Sequence, residues 1–265
     1  MERKARLQLP QVTLCAVTSV NVEATVRALD ASLKKADFGA CKLLTDVAIT
    51  PSDPRIEVVA IEQLTSSAAY SNFILTRLID FVDTSHCLVA QWDGHVVDSA
   101  YWKTEFLEYD YIGASWPQFP DGYDVGNGGF SLRSQRLMEL CRNPDFTLFH
   151  PEDLAIGRVN RAWLEKQGIV FPPRDLADVF AAERKGNPKE TFGYHGVWNM
   201  PDAIGLEAYW QVYLSLDDRG TIRPDFSRLL RTVGRGRGGL HRMAKMLADR
   251  IRPKSRKAKT YTKAH

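Results

Sequence analysis

His86-Cys87-Leu88-Val89-Ala90-Gln91-Trp92-Asp93-Gly94-His95-Val96-Val97 is the stretch on which the fold of this chain turns. A short apolar run that ends on a carboxylate and a glycine reads as a buried strand whose C-terminal end carries a polar group, Asp93, into a cleft. Gly94 lets the backbone turn sharply, or approach a ligand closely, just beyond it. In a parallel sheet ligands collect past the carboxyl ends of the strands, so Asp93 is placed to serve a metal or a phosphate-bound metal. Asp-Gly is also a strong hairpin signal, and on these two residues alone a plain turn is the better reading. The rest of the chain has to decide.

Upstream, the chain alternates. Val12 to Val17 is β-rich and apolar, Asn21 is placed to cap a helix, and Val22, Val26, Leu29 and Leu33 repeat at the spacing of a helix that covers a sheet. Cys41–Leu44 and Ile56–Ile61 read as two further strands, separated by Thr50-Pro51-Ser52-Asp53-Pro54, which is too proline-rich to be helical. Tyr70, Phe73, Ile74, Arg77, Leu78 and Phe81 form a second helical face that leads into the opening strand. Strand, helix, strand, strand, helix, strand predicts a single open, mainly parallel (mixed) α/β sheet with helices on its faces.

Downstream the texture changes. Tyr101 to Trp116 is dense in aromatics, which at this density mean core, or else a platform for a sugar or a base. Val125-Gly126-Asn127-Gly128-Gly129-Phe130-Ser131-Leu132-Arg133 follows: its glycines let backbone N–H groups approach a ligand before a strand resumes. It fits neither a Walker loop nor the Gly-x-Gly-x-x-Gly dinucleotide fingerprint, so neither an ATPase nor a dehydrogenase is supported. Pro151-Glu152-Asp153 opens a helical stretch from Leu154 to Gln167 that Gly168 closes. Its carboxylates are either caps that complement the helix dipole or a general base toward a hydroxyl. In Phe192-Gly193-Tyr194-His195-Gly196 a histidine between glycines has little packing role and is a candidate metal ligand.

The chain has 265 residues, 44% hydrophobic and 25% charged, which suffices for one large α/β domain. No run approaches the roughly 18 apolar residues of a membrane span, and Met1-Glu2-Arg3-Lys4 has no apolar run behind it, so a cytoplasmic location is expected. Cys15, Cys41, Cys87 and Cys141 are far apart, lack Cys-x-x-Cys spacing and read as buried thiols. Charge divides the chain in two: residues 223–265 carry fourteen Lys and Arg against two Asp and Glu, a net +12, and residues 1–222 carry −9. Phe226, Leu229, Leu230 and Val233, then Leu240, Met243, Leu247 and Ile251 after a Gly-Arg-Gly-Arg-Gly-Gly break, have helical spacing. The expectation is a catalytic domain over 1–222 and a basic amphipathic extension over 223–265. That extension suits an anionic membrane surface at the cytoplasmic face or the acidic side of its own domain, more than a nucleic acid.

Taken together, Gln91-Trp92-Asp93-Gly94, Leu107-Glu108-Tyr109-Asp110-Tyr111-Ile112-Gly113-Ala114 with Trp116-Pro117, the Gly126–Arg133 run, Pro151-Glu152-Asp153 and Phe192–Gly196 resemble the DUF5672 domains, a family related to GT-A glycosyltransferases. The resemblance spans about Val12 to Trp198. It implies a GT-A-like nucleotide-diphospho-sugar transferase fold and a metal-dependent glycosyltransferase, with a divalent cation, Mn²⁺ or Mg²⁺, between the nucleotide diphosphate and an Asp-x-Asp motif. Asp93 matches the second Asp of that motif, while Gln91 replaces the first and supplies hydrogen bonds without charge. His195 matches the late metal ligand. Asn127, Gly128 and Gly129, with Gly94, match the surroundings of the donor sugar. Thr18 and Ser19 match the loop that holds the nucleotide base, with Asp46 as a weaker candidate there. Asp153, or else Glu152, matches the base that deprotonates an acceptor hydroxyl in inverting members. The implied partners are a nucleotide-sugar donor and a glycan or lipid-linked acceptor. The competing class is a non-catalytic nucleotide-sugar or glycan-binding domain on the same fold, which the missing first Asp permits.

Overall fold

The computed structural model describes residues 6–251. In chain order the strands are β1 (Leu7–Val17), β2 (Ala36–Thr45), β3 (Ile56–Ala60), β4 (His86–Ala90), β5 (His95–Val96), β6 (Tyr111–Ile112), β7 (Phe130–Ser134), β8 (Ala181–Ala182) and β9 (Gly193–Tyr194). The helices are α1 (Val22–Leu33), α2 (Ser67–Thr76), α3 (Gln135–Leu140), α4 (Glu152–Leu154), α5 (Arg161–Lys166), α6 (Arg174–Phe180), α7 (Met200–Ile204), α8 (Leu206–Ser215), α9 (Phe226–Val233) and α10 (Gly239–Ile251).

Six strands form one sheet in the order β3-β2-β1-β4-β7-β6. The first four are mutually parallel, β7 runs against β4, and β6 runs against β7, so the sheet is open, mixed and mainly parallel as expected. All five residues of β4 are buried, because helices on both faces demand a strand apolar on both sides. The four cysteines are buried free thiols.

The pairings line up one edge of this sheet. Val17 lies opposite Leu44, Cys15 opposite Val89, and Ala90 opposite Phe130. Thr18, Asp46, Gln91 and Gly129 therefore all leave the sheet on the same side, beyond the carboxyl ends of the parallel strands. Asp93-Gly94 is not a hairpin. The amide of Gly94 donates to the Gln91 carbonyl in a turn, and the chain then departs into a second sheet, ordered β5-β9-β8.

Three expectations are corrected. Asn21 does not cap α1 with its side chain; its backbone is left-handed at φ 54° and its amide binds the backbone of Asp218, tying the start of α1 to the C-terminal region. The stretch from Leu154 to Gln167 is not one helix: a π-helical turn over Ala155–Val159 and a break at Asn160 divide it, with Gly168 closing it at φ 81°. Nor do the C-terminal apolar residues share one face. Phe226, Leu229 and Val233 of α9 and Met246 of α10 are buried against Tyr209, Trp210 and Tyr213 of α8, whereas Leu240, Leu247 and Ile251 face outward. The remaining residues of the proposed extension, 252–265, lie outside the described residues, as does the Met1–Lys4 start. Phe106, Tyr111 and Trp116 of the aromatic stretch are core. Among the described residues no helix is long and apolar enough to cross a membrane.

Candidate active site

The small second sheet assembles the site. The antiparallel pair His95 and Tyr194 sets Gly94 across from His195, and the parallel pair Ala182 and Tyr194 sets Glu183 beside it. Two short ladders thus bring together three residues far apart in sequence. His195 Nε2 lies 3.5 Å from Asp93 Oδ1, and His195 Nδ1 lies 3.3 Å from Glu183 Oε1. Gln91 Oε1 is 3.3 Å from the same Nε2, and Gln91 Nε2 donates to the Tyr70 hydroxyl at 2.9 Å. The Gln91 amide is thereby engaged inside the protein and orients the imidazole.

Burial works against a charge on His195, but the Asp93 carboxylate and then Glu183 outweigh it and push its pKa up to about 10. Its side chain keeps 17% exposure, so a ligand can reach it. His95 shows the contrast: its Nδ1–H donates to the Val96 carbonyl, and burial drives its pKa down to about 4.

The glycine loop closes over this group. The Gly129 carbonyl accepts from the Gln91 amide at 2.9 Å, and a Cβ on Gly129 would fall within the His195 ring. A Cβ on Gly128 would strike Glu152 Oε1. Asn127 takes a left-handed backbone, φ 64°, and its Oδ1 accepts from the Gly129 amide, which fixes the loop. Gly129→Ala should therefore displace His195 and lower stability by about 1–3 kcal/mol, the cost of overpacking; an unchanged melting temperature would count against this packing.

The two carboxylates that open α4 have different surroundings. Glu152 is buried, accepts from the Ser71 hydroxyl at 3.0 Å, and lies 3.5 Å from Nη2 of Arg133, a guanidinium with only 1% of its side chain exposed. Arg133 also donates to Ser131 Oγ and the Gly128 carbonyl and lies over the Tyr111 ring. Asp153 is half-buried and forms no ion pair among the described residues. Burial, then the Glu152 charge, raise its pKa to about 6. The Leu154 amide, which donates to Asp153 Oδ1 at 2.8 Å, opposes this shift.

The site therefore gathers Gln91, Asp93, Gly94, Asn127, Gly128, Gly129, Glu152, Asp153 and His195. Thr18, Ser19 and Asp46 stand on the same sheet edge without touching that group. Ser19 Oγ accepts from the Leu64 amide, Thr18 Oγ1 bonds the Val20 backbone, and Asp46 Oδ1 is buried with no hydrogen-bond partner. Four participants have no assigned role in the sequence reading: Glu183, Tyr70, Ser71 and Arg133. Arg133 belongs to the quoted glycine-loop run, but Glu183 sits in a charged loop with no local signal.

A divalent cation fits what is present. Asp93 Oδ1 is buried with no hydrogen-bond partner, and the Gln91 side-chain oxygen and His195 Nε2 converge beside it. Nε2 would have to give up its proton to a cation, with Glu183 holding the other ring nitrogen as a carboxylate commonly does behind a metal-ligating histidine. Among the described residues no group of three His, Cys, Asp or Glu side chains could hold a metal by itself. That sparse donor set suits a hard cation that takes its other ligands from phosphates and water.

Comparison with solved structures finds similarity to the galactosyltransferase LgtC in complex with donor and acceptor sugar analogues, at 14% identity and a TM-score of 0.41, over 77% of this chain and 96% of that one. A glycosyltransferase involved in glycosylation of the major capsid of PBCV-1 is similar at 11% identity and a TM-score of 0.44, over 77% and 98% of the two chains. The glycosyltransferase GlyE of Streptococcus pneumoniae TIGR4 is similar at 14% identity and a TM-score of 0.40, over 82% of this chain and 63% of that one. No curated protein matches in sequence. The model of a protein family described as "Protein of unknown function (DUF5672)" matches residues 54–195, more than half of the chain and the span from β3 to His195 that builds this site, and the chain belongs to that family.

Proposed function

We propose that the protein transfers a sugar from a nucleotide-diphosphate donor to an acceptor hydroxyl, with inversion, using a divalent metal. The observation that carries this reading is the division of labour among the carboxylates on one sheet edge. Asp93 keeps a buried oxygen with no hydrogen bond beside an imidazole, Glu152 is paired with a buried arginine, and Asp153 has a raised pKa and no cationic partner among the described residues. Asp93 and His195, with the Gln91 carbonyl, would hold the cation. When bound it would neutralise the charge that develops on the departing diphosphate.

The chain's own residues do the rest. Glu183 and Gln91 fix the imidazole plane. Gly128 and Gly129 let the loop lie directly against Glu152 and His195, which any side chain there would strike, and so keep both in place beside the donor sugar. Asp153 accepts the proton of the acceptor hydroxyl, a task suited to a carboxylate whose pKa lies near neutrality. Thr18, Ser19 and Asp46 sit where the β1 and β2 ends can meet the nucleotide base.

A thermal-shift screen of nucleoside diphosphates and nucleotide sugars, with and without Mn²⁺, tests the reading. A ligand at 100 times its dissociation constant adds about 2.7 kcal/mol of stability, and that gain should need Mn²⁺ and vanish in Asp93→Asn and His195→Ala. Stabilisation that survives both substitutions would sink the metal assignment. Stabilisation with no sugar transfer or donor hydrolysis would favour the binding-only class.

A further inference from the structure

Helix α10 has two apolar faces, and only one of them is used inside the protein. Gly239, Arg242 and Met246 are buried, Arg242 paired with Glu207 of α8. Leu240 is 84% exposed, Ile251 83% and Leu247 43%, and Ala244 and Ala248 are exposed with them. At about 100° per residue, positions 240, 244, 247 and 251 fall within an arc of roughly 60°, so they make a stripe that runs the length of the helix.

Basic side chains border that stripe. His241 and Lys245, the latter ion-paired with Asp249, follow it on one flank and Arg250 on the other, Arg250 reaching back over the Phe226 ring at 4.3 Å. Arg228, Arg231, Arg235 and Arg237, on α9 and the connecting loop, are exposed. Residues 252–265 add six further Lys and Arg and no Asp or Glu. An apolar stripe between cationic flanks is the pattern of a helix that lies in the plane of a lipid interface.

We infer that α10 seats the protein on an anionic lipid surface, with Leu240, Leu247 and Ile251 inserted among the acyl chains and the surrounding Lys and Arg against the headgroups. The charge argues for this occupant over a second copy of the chain, because pairing two stripes would bring two +12 segments together. The stripe also spans about 16 Å at 1.5 Å per residue, a short seam for a stable dimer. The docked face explains how the arrangement persists: Met246 and Arg242 hold α10 to α8, so the outer face is presented rather than folded away.

Co-sedimentation of the full chain with phosphatidylserine/phosphatidylcholine and with pure phosphatidylcholine vesicles tests the inference, beside the triple variant Leu240→Ser/Leu247→Ser/Ile251→Ser. Leu240 and Ile251 are almost wholly exposed, so Leu240→Ser/Ile251→Ser should keep the wild-type melting temperature and serves as the control if the change at the half-covered Leu247 lowers that of the triple variant. The wild type should bind the anionic vesicles only. The variant should bind them on the order of tenfold more weakly or worse, since each buried apolar side chain supplies a large part of interfacial affinity. Raising salt to 1 M, where the Debye length is about 3 Å, should weaken binding further. Equal binding by wild type and variant, binding to neutral vesicles as strong as to anionic ones, or no binding to either would overturn the inference. So would a wild-type dimer by light scattering that the variant converts to monomer, which would make the stripe a self-interface.

Discussion

Asp153→Asn is expected to lower turnover by about 10²-fold or more while leaving nucleotide-sugar binding nearly unchanged. Asparagine keeps the shape and the hydrogen bond from the Leu154 amide, but it cannot accept a proton from an acceptor hydroxyl. The pH profile provides a second readout. A base works only when deprotonated, and burial together with the Glu152 charge disfavours that form, so the pKa stands near 6 rather than in the ordinary Asp range. In the wild type kcat/KM should rise with pH through about 6 and fall about tenfold per unit below it. Glu152→Gln removes one of the two causes and should move this limb to lower pH. If turnover survives Asp153→Asn and disappears in Glu152→Gln, the roles of the two carboxylates are exchanged.

Arg133→Met should cost about 3–5 kcal/mol of stability, because it leaves the Glu152 carboxylate buried without its cation. For a chain of this size that corresponds to a fall in melting temperature of roughly 6–20 °C. Burial sets this cost: Arg133 has 1% and Glu152 6% of the side chain exposed, so solvent cannot replace the lost partner. Arg133→Met with Glu152→Gln should recover much of the loss, since the pair is removed together and Ser71 still bonds the amide. Additive losses in the double variant would mean that Arg133 acts through packing on Tyr111 and the Gly128 carbonyl instead.

The exposed apolar stripe on α10 separates what charge composition can and cannot reveal. The +12 segment is visible by counting, but helical spacing alone pools Leu240, Leu247 and Ile251 with Phe226, Leu229 and Val233. Packing against α8 sorts them, because the docked face is chosen by which side chains Trp210 and Tyr213 can cover.

The sequence by itself determined the main sheet, because the apolar runs of β1, β2, β3 and β4 and the 3.6-residue period of α1 are local patterns that burial enforces wherever they occur. It also marked Asp93, Gly128, Gly129, Asp153 and His195, whose residue types fit no ordinary core. Only the tertiary structure decided what those residues do to one another. The β5-β9-β8 ladders that bring Asp93, Glu183 and His195 into contact are two residues long, too short to leave a periodic signal, and their register is set by the body of the fold. The difference between Glu152 and Asp153 has the same origin. They are neighbours in sequence with the same charge, and they part company because Arg133 and Ser71, brought from β7 and α2, reach one carboxylate and leave the other.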